Sequence, residues 1–192
     1  MIFPRLAIFV LSYFIGSISP GAFFAWLKGI DITKQGSGSS GATNTARSLG
    51  WKYFVLVFLI DCLKAFLFLF FLTQKNFPLA EQYCAAIGLL LGNVSSLWLQ
   101  FRGGKGVATT IGILLALYPH SLFILIPIWL LFYLITRTIG IASSGAFVGL
   151  CISTLNLFAT QPLLAGLMFF IGALGIYRHI DNMKRYLYVA KV

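Results

Sequence analysis

Residues 51–73 read WKYFVLVFLIDCLKAFLFLFFLT, an apolar run with Asp61 and Lys64 near its middle. A hydrocarbon core demands about 20 apolar residues of helix, so this stretch predicts a membrane span. Asp61 and Lys64, three apart on one helix face, are costly to bury unless they pair or reach a polar cavity. A structural ion pair that locks helices together and a direct part in the chemistry are both open readings.

The rest of the chain agrees with that first segment. Over 192 residues, 59% are hydrophobic and 9% charged, with a mean hydropathy of +0.94. That leaves too little polar surface to cover a soluble globule, so we expect an all-α integral membrane protein, a polytopic helix bundle forming a single domain over residues 1–192. A formal charge of +10 would suggest nucleic acid in a soluble protein. Here the bases gather in short segments between apolar runs, the pattern of cytoplasmic loops, and no nucleic-acid partner is expected. Cys62, Cys84 and Cys151 have no metal-ligand spacing and read as small buried hydrophobes, so no metal and no other cofactor is expected.

Residues 2–27 form an uncleaved first span, interrupted by Gly16, Ser17, Ser19, Pro20 and Gly21, which permit a kink. Lys28, Lys34, Arg47 and Lys52 fall in the next connection, which places that loop in the cytoplasm and the N-terminus outside. An external turn at 74–78 leads into a span over 79–101, and residues 107–117 follow, too short to cross upright. Pro119 and His120 mark a turn without chemistry. Residues 121–136 run back inside, two short spans follow at about 146–159 and 163–177, and the basic tail is cytoplasmic. Counting 107–117 and 121–136 as spans gives seven transmembrane helices; counting them as a re-entrant hairpin gives five.

Three polar clusters interrupt this pattern. The first, KQGSGSSGATNTARSLG over 34–50, has Gly36, Gly38 and Gly41 to free the backbone and bring N–H groups to a ligand. Ser37, Ser39, Ser40, Thr43 and Asn44 add side-chain donors, a surface that suits phosphate. Arg47, one turn into a helix begun near Thr43, can grip oxyanions in a fork. A flexible linker would need neither Asn44 nor Arg47 at a helix start. The embedded GxGxxG, with Asp61 downstream, lacks the preceding strand of a dinucleotide fold and is set aside. The second cluster packs Arg102, Gly103, Gly104, Lys105 and Gly106 directly before 107–117, where helix-start amides can hold an anion beside Lys105. It is not a P-loop, and an ordinary basic loop is the competing reading. The third, TRTIGIASSGAF over 136–147, contains Arg137 and Ser143. All three clusters and the tail share the cytoplasmic face, as one site built from several loops requires.

Gly16-Ser17-Ile18, the 36–50 segment GSGSSGATNTARSLG, RGGKGVAT over 102–109, the 137–144 patch and YRHIDN over 177–182 together resemble the bacterial acyl-phosphate-dependent glycerol-3-phosphate acyltransferases, the integral-membrane PlsY family. The resemblance runs nearly end to end, and the GATN and GGKGVAT pieces are specific as a pair. It implies transfer of a fatty acyl group from acyl phosphate to the sn-1 hydroxyl of glycerol 3-phosphate, in phospholipid synthesis at the bacterial cytoplasmic (inner) membrane. Membrane lipids are then the surroundings, and an acyl-phosphate-producing enzyme is a functional partner. By that likeness Ser37, Arg47, Lys105 and His179 are the catalytic candidates. Gly36, Gly38, Gly41, Thr43, Asn44, Gly103, Gly104, Arg137, Ser143 and Asn182 are the binding candidates. The residues depart from the family pattern at Ser39 (usually Asn), at Asn93 with Ser95 and Ser96 (a GHxFP-like run), at Arg102 (Lys) and at Gly140 (Ser).

The chemistry fits. Two phosphate-bearing substrates must be brought together, and Arg47, Lys105 and Arg137 supply positive field. Acyl phosphate is an activated mixed anhydride, so a chain without an evident Ser-His-Asp constellation suffices. Ser37 and the loop amides are expected to bind the acyl phosphate, and Arg47 and Lys105 to stabilise charge as the carbonyl is attacked. His179 and Asn182 are expected to orient the glycerol phosphate. His179 and the departing phosphate are alternative general bases. An anion channel or transporter, and an inert relative with a binding role, are the competing functions.

Overall fold

A computed structural model describes residues 2–189, and among them every regular element is helical. The α-helices are α1 (Ile2–Ser17), α2 (Pro20–Trp26), α3 (Ala42–Leu49), α4 (Trp51–Gln74), α5 (Leu79–Val94), α6 (Val107–Leu117), α7 (Leu122–Thr136), α8 (Ile139–Ser153) and α9 (Pro162–Val189). Short 3-10 turns lie at Ile32–Lys34, Leu97–Leu99 and Pro119–Ser121. Five stretches are long and apolar enough to cross a membrane: Phe3–Trp26, Trp51–Gln74, Leu79–Leu99, Pro119–Thr136 and Pro162–Tyr188. Large apolar side chains such as Phe3, Leu67 and Ile135 are exposed along them, which suits hydrocarbon and not water.

Two boundaries differ from expectation. The short apolar helices are α6 and α8, whereas the segment after His120 reaches full spanning length with its turn. α8 begins at Ile139 instead of near 146: Ser143 and Ser144 lie within it, their hydroxyls satisfied by the Ile139 and Gly140 carbonyls at 2.9 Å each. As expected of a helical tail, α9 continues unbroken through it, since no glycine or proline follows Gly175 to end it.

The chain divides into two compact units, residues 1–117 and 118–192. In the first, α1 packs on α5 backbone to backbone. A Cβ on Gly92 would run into Tyr13 O, Ser17 N and Gly16 C, and one on Gly88 would meet Phe9 O and Ser12 Oγ. In lipid no hydrophobic force draws helices together, so this close approach through small residues is what holds the pair. The seam is closed by Tyr13 Oη donating to Ser95 O (2.7 Å) and Ser96 Oγ donating to Ser17 O (2.7 Å). Gly92→Ala is therefore expected to cost about 1–3 kcal/mol of stability. A lower melting midpoint in detergent checks it; an unchanged midpoint would mean the seam is slack.

The break between α1 and α2 falls where Gly16, Ser17, Ser19 and Pro20 predict a kink. Ser19 caps α2, accepting the Ala22 N–H at 3.3 Å, and Pro20 fits the first helical position. The carbonyls stranded by the break do not stay unpaired. Lys64 Nζ donates to Gly16 O (2.9 Å) and Ile18 O (2.7 Å) while pairing with Asp61 Oδ1 at 2.6 Å. Asp61 also accepts from Asn93 Nδ2 at 3.1 Å. The mid-span charges thus satisfy each other and the adjoining backbone, which is the ion-pair reading and leaves them unsuited to lining an open path.

The second unit consists of α7, α8 and α9. Trp129 Nε1 on α7 donates to Ser143 Oγ on α8 at 3.2 Å, and the Phe147 and His179 rings bring α8 and α9 together at 5.6 Å.

Candidate active site

The first polar cluster begins at a turn in which Asp31 accepts from Thr33 N (3.0 Å) and Thr33 Oγ1 (2.6 Å). The Thr33 hydroxyl, and then its N–H, hold the Asp31 carboxyl below the usual carboxylate range. Beyond it, Gly36 (φ 52°) and Gly38 (φ 68°) take left-handed backbone and fold the loop over Asn44. Asn44 Nδ2 donates to Ser39 O (2.8 Å), Gln35 O (2.9 Å) and, at 3.5 Å, Ile32 O, and its Oδ1 accepts from Ser37 N (3.0 Å). The expected phosphate donor is therefore a brace, buried and spent on the loop it holds. The expected cradle of loop amides is altered for the same reason. The N–H groups of Ser37, Gly38 and Gly41 all point inward, to Asn44 Oδ1, Gln35 O and Ser39 Oγ.

What the segment offers instead is the N-terminus of α3. Gly41 is its N-cap and gives no side-chain cap, so the first-turn amides, Thr43 among them, keep their donors and the positive end of the helix dipole. Ser37 is half-buried at the loop's edge. Arg47, in the last turn of α3, is exposed and makes no ion pair among the described residues.

The second cluster is laid onto the end of α5. Gln100 (φ 52°) and Phe101 (φ 63°) turn the chain back, closed by Phe101 N to Ser96 O at 2.8 Å. Gly104 N donates to Asn93 O at 2.8 Å, and a Cβ on Gly103 would strike the Asn93 and Val94 backbone, so the Gly103 position has no room for a side chain. Gly41 and Gly104 then meet: a Cβ on Gly41 would lie 3.8 Å from Gly104 Cα and 3.9 Å from Lys105 N. The Ser37 loop and the Lys105 turn, more than sixty residues apart in sequence, are neighbours in one unit. Thr109 and Thr110, in the first turn of α6, carry buried hydroxyls without a hydrogen-bond partner among the described residues. In the sequence Thr109 stands only as the end of the RGGKGVAT segment, Thr110 carries no signal, and Asn93 is only a departure from a family pattern.

In the second unit, Arg137 ends α7 in a left-handed conformation (φ 52°) and is exposed. Ser143 is buried inside α8, its hydroxyl between the Trp129 indole and the Ile139 carbonyl. Gly140 leaves its space to Asn182, whose amide a Cβ there would strike. His179 is 2% exposed rather than interfacial. Its Nδ1 lies 2.8 Å from Gly175 O, and because a carbonyl only accepts, Nδ1 carries the proton. In the neutral ring Nε2 is then the acceptor, the form a general base or an acceptor from a hydroxyl requires.

A family model described as glycerol-3-phosphate acyltransferase matches residues 6–188. The chain belongs to that family. Among its relatives, the glycerol-3-phosphate acyltransferase of Aquifex aeolicus is 39% identical over 186 residues, covering 95% of each chain. That of Thermosipho melanesiensis is 36% identical over 175 residues, 91% of this chain and 85% of the relative. The crystal structure of PlsY (YgiH), an integral membrane glycerol 3-phosphate acyltransferase, in its glycerol 3-phosphate form superposes with a TM-score of 0.85 at 34% identity, over 96% of this chain and 92% of that one. The lysophosphatidic acid form gives a TM-score of 0.80. Family membership accounts for the all-helical membrane fold seen here.

Proposed function

We propose that this protein transfers a fatty acyl group from acyl phosphate to the sn-1 hydroxyl of glycerol 3-phosphate, releasing lysophosphatidate and inorganic phosphate. The observation that supports the reading is the approach of Gly41 to the Gly104 and Lys105 backbone in a chain of this family, which makes the Ser37 loop, the α3 N-terminus and the Lys105 turn neighbours. Arg47, Lys105 and the uncapped start of α3 are the proposed oxyanion ligands, and the buried hydroxyls of Thr109 and Thr110, unpartnered among the described residues, are candidate further donors.

In the reaction, the acceptor hydroxyl oxygen attacks the acyl carbonyl carbon, the bond from that carbon to the phosphate oxygen breaks, and the hydroxyl proton leaves on the departing phosphate; His179 is the alternative base that the family likeness implies. Lys105 and Arg47 stabilise the charge that grows on the carbonyl and phosphate oxygens. Ser37 holds the donor through its hydroxyl, since its N–H is committed to Asn44. His179 and Asn182 are the proposed ligands of the glycerol phosphate, with Arg137 adding positive field. An acyl-phosphate-producing enzyme is the functional partner that the donor calls for.

The charge pattern supports a cytoplasmic position for the loops bearing Lys28, Lys34, Arg47, Lys52, Arg102 and Lys105, with the N-terminus outside, in the bacterial inner membrane. The competing channel reading has against it the mutual pairing of Asp61 and Lys64.

The donor assignment is tested with purified protein and labelled glycerol 3-phosphate. Palmitoyl phosphate is expected to yield labelled lysophosphatidate and palmitoyl-CoA none. Product from the thioester alone would overturn the donor, and product from neither would favour the inert relative.

A further inference from the structure

We propose that Asp61 and Lys64 are positioning residues for acyl transfer, acting through Asn93 on the Lys105 turn and through the α1–α2 break on the Ser37 loop. The inference rests on the acyltransferase reading above and extends it to residues buried within a span.

The ties run in two directions from one ion pair. On the carboxylate side, Asp61 Oδ1 receives both Lys64 Nζ (2.6 Å) and Asn93 Nδ2 (3.1 Å). Asn93 is held by its side chain and holds by its backbone: its carbonyl takes the Gly104 N–H at 2.8 Å, one residue before Lys105. Gly103 rests on that same backbone too closely to admit a Cβ, and Gly104 faces the Asn93 side-chain amide, so a shift of Asn93 is passed on to the turn directly. On the ammonium side, Lys64 binds Gly16 O and Ile18 O, the carbonyls at the break. Two residues further on, α2 begins, and Gly21 in its first turn lies against Ser40 O and Thr45 Oγ1 of the first polar cluster.

A pair that merely filled the bundle could take partners anywhere along it. This one takes them on the two segments that carry the phosphate-facing loops, and those loops meet at Gly41 and Gly104. Charge suits the task, because hydrogen bonds to ionised groups are shorter and stronger than those between neutral ones. Misplacement of a substrate-positioning element by about 1 Å can cost about 100-fold in rate.

The test uses Asn93, whose side-chain amide donates to Asp61. Asn93→Leu keeps the volume and removes the tie to Asp61; Asn93→His keeps an N–H that can reach it. Rates, KM for both substrates and melting midpoints are measured for each full-length protein with palmitoyl phosphate and glycerol 3-phosphate. For Asn93→Leu, kcat per folded protein is expected to fall about 10- to 100-fold with both KM values within about threefold, while Asn93→His stays within about threefold of the parent in kcat. The inference is overturned if Asn93→Leu retains its kcat, if Asn93→His loses as much as Asn93→Leu, or if the losses follow the amount of folded protein. An inactive parent protein would overturn the acyltransferase reading and this inference with it, whereas an active parent with an unaffected Asn93→Leu removes the inference alone.

Discussion

Lys105→Ala is expected to lower kcat for acyl transfer by about 10²- to 10³-fold while leaving the melting midpoint nearly unchanged, the size of effect seen when one preorganised charge-stabilising donor is removed. The turn that carries Lys105 is held by Gly103 and Gly104 against α5, so its backbone is expected to survive the change. Lys105→Arg is expected to recover only part of the loss, since a planar fork does not replace a point charge at a half-buried position. Steady-state kinetics with both substrates check the prediction. Full activity in Lys105→Ala would remove the turn from the site and leave it as an ordinary basic loop.

The second large effect is on stability. Lys64→Met leaves the Asp61 carboxylate buried with Asn93 as its sole remaining partner among the described contacts, and strands the Gly16 and Ile18 carbonyls. Breaking a buried pair from one side costs about 3–5 kcal/mol, mostly the penalty of an uncompensated charge. Asp61→Leu combined with Lys64→Met removes both charges and is expected to regain a good part of that loss, but not all, because the carbonyls at the break stay without their donor. Detergent unfolding midpoints for the parent, the two single variants and the double variant form the cycle that checks this. If Lys64→Met melts with the parent, the pair is not holding the break.

How far the sequence reaches can be followed element by element. α4 is legible because one unbroken apolar run has a single solution in lipid, and the kink after α1 because Gly, Ser and Pro stand together. The start of α8 is not, since a serine hydroxyl that satisfies a carbonyl of its own helix reads in sequence like a loop residue, whereas a polar tail without glycine or proline is readable as helix. At the site, the clusters announce themselves through glycine, serine and isolated cations. Their internal division of labour does not. Asn44 and Thr43 are neighbours of the same polar kind, yet Asn44 faces inward to carbonyls five to twelve residues back and Thr43 is half-buried in the first turn of α3. Asn93 is harder still, because its part depends on partners on α4 and in the glycine turn, which meet only once the helices are packed.

The most direct check of the central claim is to count both products in one reaction. Purified protein, palmitoyl phosphate and glycerol 3-phosphate should release inorganic phosphate and form lysophosphatidate in equal amounts, with neither appearing when glycerol 3-phosphate is omitted. Phosphate released at the same rate without the acceptor, and no lysophosphatidate with it, would contradict an acyltransferase and describe a hydrolase.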